Sequence, residues 1–502
     1  MTRAFAFASY VYQSAAAIVL IVCVSHLVAP ATYTAFSLTL ASAQFAGVLA
    51  FEWVQIAGTR YLSSATPATG PRLRVALLAA DGGGALALAA AAGTLLLAAP
   101  ALAPDRTLVL LGLGIAAGQG LTDLALTMVR VDGRLGRAAA LMVLRASALV
   151  TGTVAGAWLD GSARGALAGN LAGHAVGLAA ALATAWGSGL FRGASPRLDR
   201  ADLARFARFG VPAAAASVTH LTVPIAIRYL IVGLYAANPA VAAAASLALD
   251  LLQRPFSVLI AAIHIVSYPE VVAAHDRGGP DAARAAAARL LEFMLCATTI
   301  MLGGLVAFLP EAAALLVRPE LRADFVGVGA AATAFYFLHV QIQTTLAIVP
   351  QLREATARLV GVAAAQLATV AGLVWAGVGL GAAPRDALLL ACFATAAVAL
   401  YAVRPTLAFG ARPRGALVAA AVAGAGLIAA TALPGAAGPL WLGLRIALSA
   451  GIVAGIAWAG DFLHLRRPNP PAPQPLRPRR PRQPARGSAR SASRLRAERS
   501  QA

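Results

Sequence analysis

Four ionisable residues stand inside two neighbouring apolar runs of this 502-residue chain: His220 and Arg228 in the first, Asp250 and Arg254 in the second. The runs, 210–234 and 240–268, are joined by a short uncharged turn from Ala236 to Pro239, and each is long enough to cross about 30 Å of hydrocarbon. An ionisable group at mid-bilayer costs about 2.5 to 3.5 kcal/mol, so such groups face a bundle interior or a water-filled path. Asp250 and Arg254 lie one helical turn apart on one face, and Pro255 follows at once. The hairpin therefore reads as the lining of something polar. A guanidinium there offers a planar fork that can bond two oxygens of an anion together.

Four Arg fall inside predicted helices: Arg145, Arg228, Arg254 and Arg445. Arg254 is the strongest candidate for ligand contact because it sits near mid-depth beside a proline; the competing reading is a salt bridge to Asp250, four residues back. Arg145 lies about two turns from a membrane face and can equally snorkel to it. Arg228 is near the other end of its helix, where an interfacial position competes, and Arg445 reads as structural. The acids Glu52, Asp81, Asp123 and Asp250 either balance these Arg or titrate to couple a process to a proton or sodium gradient. Asp81 precedes Gly82, Gly83 and Gly84, where close helix packing is an equal alternative. His174, His220, His264 and His339 are scattered one per helix and read as hydrogen-bonded structural residues. Gln44, Gln253, Gln341 and Gln343 can donate to hydroxyls or bond neighbouring helices.

These residues must be positioned by membrane-spanning helices. The chain is 60% hydrophobic and 12% charged, a composition that no soluble globular surface accommodates. Fourteen apolar runs of spanning length are expected, the last two at 415–433 and 439–462, so the fold class is an all-α integral membrane protein. The N-terminal run exceeds the apolar core of a cleaved signal and reads as the first span. The net charge of +20 comes entirely from Arg, with no Lys, and these Arg cluster in short loops and one tail, which excludes a nucleic-acid stripe. With the N-terminus inside, inner loops and ends hold twenty Arg and outer loops five. That bias predicts a multi-pass membrane protein with both termini cytoplasmic. Residues 463–502, rich in Pro, Arg and Ser, are expected to be a disordered cytoplasmic tail drawn to anionic lipid. Cys23, Cys296 and Cys392 lie far apart in apolar runs and suggest neither a disulfide framework nor a metal site. No nucleotide loop or nucleophile elbow is present, no cofactor is expected, and outer loops are too short for a catalytic domain. The chain is not expected to be an enzyme.

A shift of 209 positions aligns Pro30, Ser37, Leu38, Leu40 and Gln44 with Pro239, Ser246, Leu247, Leu249 and Gln253, which suggests a duplicated six-helix unit. The expected division is an N-terminal six-helix bundle at 1–188, a cytoplasmic linker at 189–208, a C-terminal six-helix bundle at 209–410, two further helices within 411–462, and the tail.

The stretch Ala29 to Ser64 carries Pro30 and Tyr33 in a turn and ends its helix in Arg60, Tyr61, Leu62 and Ser63; the second half opens with Phe209, Gly210 and Pro212, then Gln253, Arg254 and Pro255, with Pro269 beyond. In these positions the chain resembles the polysaccharide/O-antigen (Wzx-like) flippases of the multidrug/oligosaccharidyl-lipid/polysaccharide exporter superfamily. Thr34 stands where that family usually has Gly after the turn Tyr. The resemblance implies two six-helix bundles facing a central cavity that opens alternately to each side. It also implies a lipid-linked oligosaccharide as substrate, with Arg254, Arg145 and Arg228 as cavity cations for its (pyro)phosphate and Asp250, Glu52, Asp123 and Asp81 as charge partners or coupling acids. Membrane lipids and other polysaccharide-assembly membrane proteins are the further partners it implies. A multidrug exporter or peptidoglycan-precursor flippase of the same fold, and a non-transporting scaffold of a glycan-synthesis complex, remain open alternatives.

Overall fold

A computed structural model describes residues 2–63, 65–66, 69–98, 105–193, 199–353 and 355–410, together with 424, 443–445, 447–449, 451 and 455. Of 2–4, 6–7, 261–270, 276–278, 280 and 356 only the backbone is described, so the side chains of His264 and Pro269 lie outside the described residues. So do the Arg/Pro-rich tail and, apart from those scattered positions, the two helices expected within 411–462.

In hydrocarbon every backbone N–H and C=O must be satisfied internally, and the apolar runs accordingly form helices. The first half contains α1 (Thr2–Leu27), α2 (Pro30–Ser63), α3 (Gly70–Ala98), α4 (Arg106–Val131), α5 (Leu135–Asp160) and α6 (Ala163–Gly187). Pro30 begins α2 where a missing N–H costs nothing. The Asp105 carboxylate caps α4 by accepting from the amides of Thr107 and Leu108. Ser162 caps α6, and Gly161, at φ 64°, allows the tight turn out of α5.

The second half contains α7 (Arg200–Leu234), α8 (Pro239–Ala307), α9 (Leu309–Leu316), α10 (Arg322–Val340), α11 (Ile348–Leu352), α12 (Thr356–Gly379), α13 (Pro384–Ala402) and α14 (Arg404–Phe409). Among the described residues twelve helices are long and apolar enough to cross a membrane, and the chain is a multi-pass membrane protein.

Within the expected 189–208 linker the chain is helical from Arg200, where α7 starts: Asp199 caps it, and Arg72 of α3 holds Asp199 at 2.6 Å and Asp202 at 2.8 Å. Beyond residue 268 α8 continues to Ala307 and is broken at Gly279, where φ 70° and ψ −166° are open to glycine alone. Directly after α10 the chain makes a π-helical turn at Gln341–Thr345.

Within the first half α5 lies on α6, α1 on α5, and α2 and α6 on α4; in the second, α10 packs on α8 and α13, and α12 on α7 and α13. The α5–α6 contact is built from glycine: a Cβ on Gly169 would strike the carbonyl of Gly152, and one on Gly156 the carbonyl of Gly165. In the expected Gly82–Gly84 stretch only Gly84 makes a close approach, its Cβ position lying 3.0 Å from the Ala50 carbonyl. The halves meet where α2 runs along α7 and α8, and α1 along α8. Tyr33, Phe36, Ile227, Phe256, Phe335 and Tyr336 are buried there in one apolar cluster.

Candidate functional site

The two stretches that carry the family resemblance meet along the α2–α7 contact. At the Arg-rich end the Arg60 guanidinium lies 4.9 Å from the Phe209 ring centre and that of Arg205 lies 4.2 Å from Tyr61. Gly210 lets α7 settle directly on the backbone of Trp53. These motif residues therefore fix how the halves meet.

Further along the same seam lies a cavity between the halves, lined by Ile21 of α1, Phe36, Ser37 and Gln44 of α2, Leu221, Pro224 and Arg228 of α7, and Asp250, Gln253 and Arg254 of α8. Each side chain arrives for a local reason. Ser37 and Gln44 are seven residues apart, two turns on one face of α2, and Asp250, Gln253 and Arg254 share one face of α8 by the same three- and four-residue spacing. Pro224 and Arg228 are likewise one turn apart on α7.

The polar groups form a closed network on one side of this cavity. Arg228, 4% exposed, donates through Nη1 to Asp250 Oδ1 at 2.5 Å and to Ser37 Oγ at 2.7 Å. Asp250 Oδ2 accepts from the Ser37 hydroxyl at 2.7 Å and from the Tyr33 hydroxyl at 2.8 Å. One carboxylate thus ties α2 of the first half to α7 and α8 of the second.

Arg254 is left out of that network. Its salt bridge to Asp250 does not form, because both carboxylate oxygens are engaged by α2 and α7. Among the described residues Arg254 makes no ion pair, and its Nε is buried without a hydrogen-bond partner. The cavity therefore holds a cation with open donors beside the amides of Gln44 and Gln253. Its free volume is only about 40 Å³, enough for a few waters, so a larger ligand requires the halves to separate.

The other proposed residues are placed elsewhere. Arg145 of α5 does not line this cavity; it pairs with Asp123 of α4 and lies against Gly177 of α6, inside the first half. Asp81 is fully buried in α3, both its oxygens without partner among the described residues, within electrostatic reach of Asp123. Glu52 faces Ser217 of α7. Arg445 pairs with Glu311 of α9. The residues that sequence reasoning left out are Tyr33 and Ser37 as partners of Asp250. Their four-residue spacing just after Pro30, and the repeat match of Ser37 to Ser246, are the signals that mark that face of α2 as polar.

No family model and no curated protein matches the sequence. Among solved structures the chain is similar to a lipid II flippase, MurJ, in an inward closed conformation, with TM-score 0.65 and 11% identity over 92% of this chain and 99% of that one. It is also similar to an inward-facing multidrug resistance MATE family transporter of the MOP superfamily, with TM-score 0.62 and 15% identity over 79% of this chain and 95% of that one. MATE in the straight conformation follows at TM-score 0.53 and 14% identity over 81% and 97%. At these identities the likeness shows the fold, which is MATE- and MurJ-like.

Proposed function

We propose that the chain is a transporter that moves a polyprenyl-(pyro)phosphate-linked oligosaccharide across the cytoplasmic membrane, for surface polysaccharide biosynthesis, by alternating access. The observation that carries this reading is Arg254: a half-buried guanidinium that makes no ion pair among the described residues and whose Nε is buried without a partner, at the seam between two helical halves, beside two Gln amides. An unpaired cation in a low-dielectric cavity favours an anionic ligand, and phosphate oxygens fit its fork. The amides of Gln44 and Gln253 suit sugar hydroxyls. Cationic drugs would be repelled from this cavity, which weighs against the multidrug reading. In this proposal the Arg-rich end faces the cytoplasm, and the network joining Tyr33, Ser37, Arg228 and Asp250 is a latch that opens toward the other side.

A peptidoglycan-precursor flippase is the second reading, favoured by the likeness over 92% of the chain to a protein described as a lipid II flippase. Mass spectrometry of polyprenyl-linked intermediates in a deletion strain, complemented with native protein or Arg254→Ala, separates them. A complete lipid-linked repeat unit that accumulates in both the deletion and the Arg254→Ala strain, with protein abundance unchanged, supports export and names the glycan. Accumulation of a peptidoglycan precursor instead selects the second reading. Unchanged lipid pools and surface glycan overturn both.

A further inference from the structure

A second buried polar cluster lies outside the central cavity, assembled from four helices of the second half: His220 of α7, His339 of α10, Gln366 of α12 and Thr395 of α13. All four are at most 4% exposed. The imidazoles meet edge to face with ring centres 6.1 Å apart, and Phe335 stacks on His339 at 5.7 Å. The Gln366 amide donates to His339 Nδ1 at 3.1 Å and reaches Thr395 Oγ1 at 3.4 Å. Two atoms are left over: His220 Nδ1 and Gln366 Oε1 are buried with no hydrogen-bond partner among the described residues. The π-helical turn Gln341–Thr345 begins two residues after His339, a local defect of the kind that often accompanies functional positions.

The first half holds a counterpart. Asp123 and His339 are each the eighteenth residue of their helix, Arg145 and Gln366 each the eleventh, and His174 and Thr395 each the twelfth. In the first half this position is filled by the Arg145–Asp123 ion pair; in the second it is uncharged and gains His220. The second cluster is thus a site with the framework of an ion pair and no fixed charge.

A hard cation would find no carboxylate here, and among the described residues no group of three metal-ligating side chains occurs. The remaining charged species of matching chemistry is a proton, which imidazole takes up near neutral pH. We propose that His220 and His339 form a proton-binding site that sets the balance between this closed arrangement and one in which the halves separate. The proposal adds a coupling ion to the transport reading above, but its own observables do not need a substrate.

The surroundings give the direction. Arg358 of α12 lines the small space beside His220, and the elements around the pair also carry Glu52 on α2, which faces Ser217 of α7, Arg228 on α7, Asp250 and Arg254 on α8, Tyr336 on α10 and Cys392 on α13. Of the two acids only Glu52, against Ser217 one turn before His220, lacks an ion pair among the described residues, and in this proposal it is the counter-charge the pair reaches when the halves separate. Beside His220 the free space is about 10 Å³, room for no more than one water, so a charged imidazole is disfavoured in this dry conformation. A proton therefore selects conformations in which the pair is hydrated or reaches Glu52. The mechanical link is short: α7 carries both His220 and Arg228, and α10 carries His339 and, one turn earlier, Tyr336, which lies within electrostatic reach of Arg228 and Asp250.

The test uses the full chain in lipid nanodiscs, with the native Cys replaced and spin labels at Leu159→Cys and Leu380→Cys, two exposed positions at the same end of the two halves. Lowering the pH from about 8 to about 5.5 should raise the population of a second inter-label distance several-fold. His220→Asn and His339→Gln, which keep a hydrogen-bonding group, should each abolish the response, while His26→Asn, an exposed His at the end of α1, should keep it. A pH response that persists in both His variants, or is absent from the native protein, overturns the proposal, as does a shift driven by sodium at constant pH. Histidine 15N spectra of the native protein add a measurement that needs no variant to fold. Two ring signals must titrate with the midpoint of the distance change, and rings that stay neutral throughout refute the site. Because no substrate is present, a failure of Arg254→Ala to block glycan export would leave this result standing.

Discussion

Asp250 and Arg254 stand one turn apart on α8, yet the carboxylate bonds Arg228 at 2.5 Å instead, across to α7. The choice follows from valence: with Oδ1 on Arg228 and Oδ2 on Ser37 and Tyr33, the carboxylate is satisfied without its helical neighbour. The exposed consequence is Arg254, whose charge faces the cavity.

Asp250→Asn should be strongly destabilising. It leaves Arg228, 4% exposed, as an uncompensated buried charge, and breaking such a pair costs about 3 to 5 kcal/mol. Thermal unfolding in detergent should show the drop, and the double change Asp250→Leu with Arg228→Met should recover most of it.

Tyr33→Phe and Ser37→Ala each remove a hydrogen bond to a charged group, worth about 1.5 to 3 kcal/mol. Because donor and acceptor belong to different halves, the loss should appear as loosening at the seam. Hydrogen–deuterium exchange over 30–40 and 245–255 should rise in the double variant while exchange within α5 and α6 stays unchanged.

Gly169→Ala should destabilise by about 1 to 3 kcal/mol, because its Cβ collides with the Gly152 carbonyl and neither helix can yield without moving the other. Gly83→Ala, where a Cβ meets nothing within 4 Å, should be neutral or mildly stabilising. A melting comparison in which the two variants behave alike would remove glycine packing as the basis of the α5–α6 contact.

Asp105, outside the spans, is held below the usual carboxylate range: burial pushes its pKa up, but the Arg164 hydrogen bond, the amides of Leu108 and Thr107, and the Arg164 charge outweigh it. A depressed carboxylate contributes stability that is present above its unfolded pKa of about 3.9 and is lost as pH falls through the lower folded value. Asp105→Ala should cost about 1 kcal/mol at neutral pH and should flatten the acid limb of the stability profile below about pH 4.

Much of the fold was legible without coordinates. The twelve spanning runs that fall on described residues appear as helices, since a backbone in hydrocarbon has no other way to satisfy itself. Polarity alone does not report the local chemistry that sets where the helices start and break: Asp199 caps α7 so that it begins at Arg200, and Gly279 interrupts α8. Glycine spacing of four in α5 and α6, at Gly152 and Gly156 and from Gly165 to Gly177, was open to reading and marks the tightest helix contact.

The sequence by itself determined that Arg145, Arg228, Asp250 and Arg254 would stand inside long apolar helices, because residue type and position along an apolar run decide that. It also placed Gln44 and Gln253 at matching points of a repeat, and both line the cavity. Which cation takes Asp250 was decided only by the tertiary structure. Tyr33 lies 217 residues away along the chain, and Arg145 pairs with Asp123 inside the first half instead of lining the cavity with Arg254. The i and i+4 rule is only a local preference, and here the packing of α2 and α7 against α8 brings Arg228, Ser37 and Tyr33 onto both carboxylate oxygens.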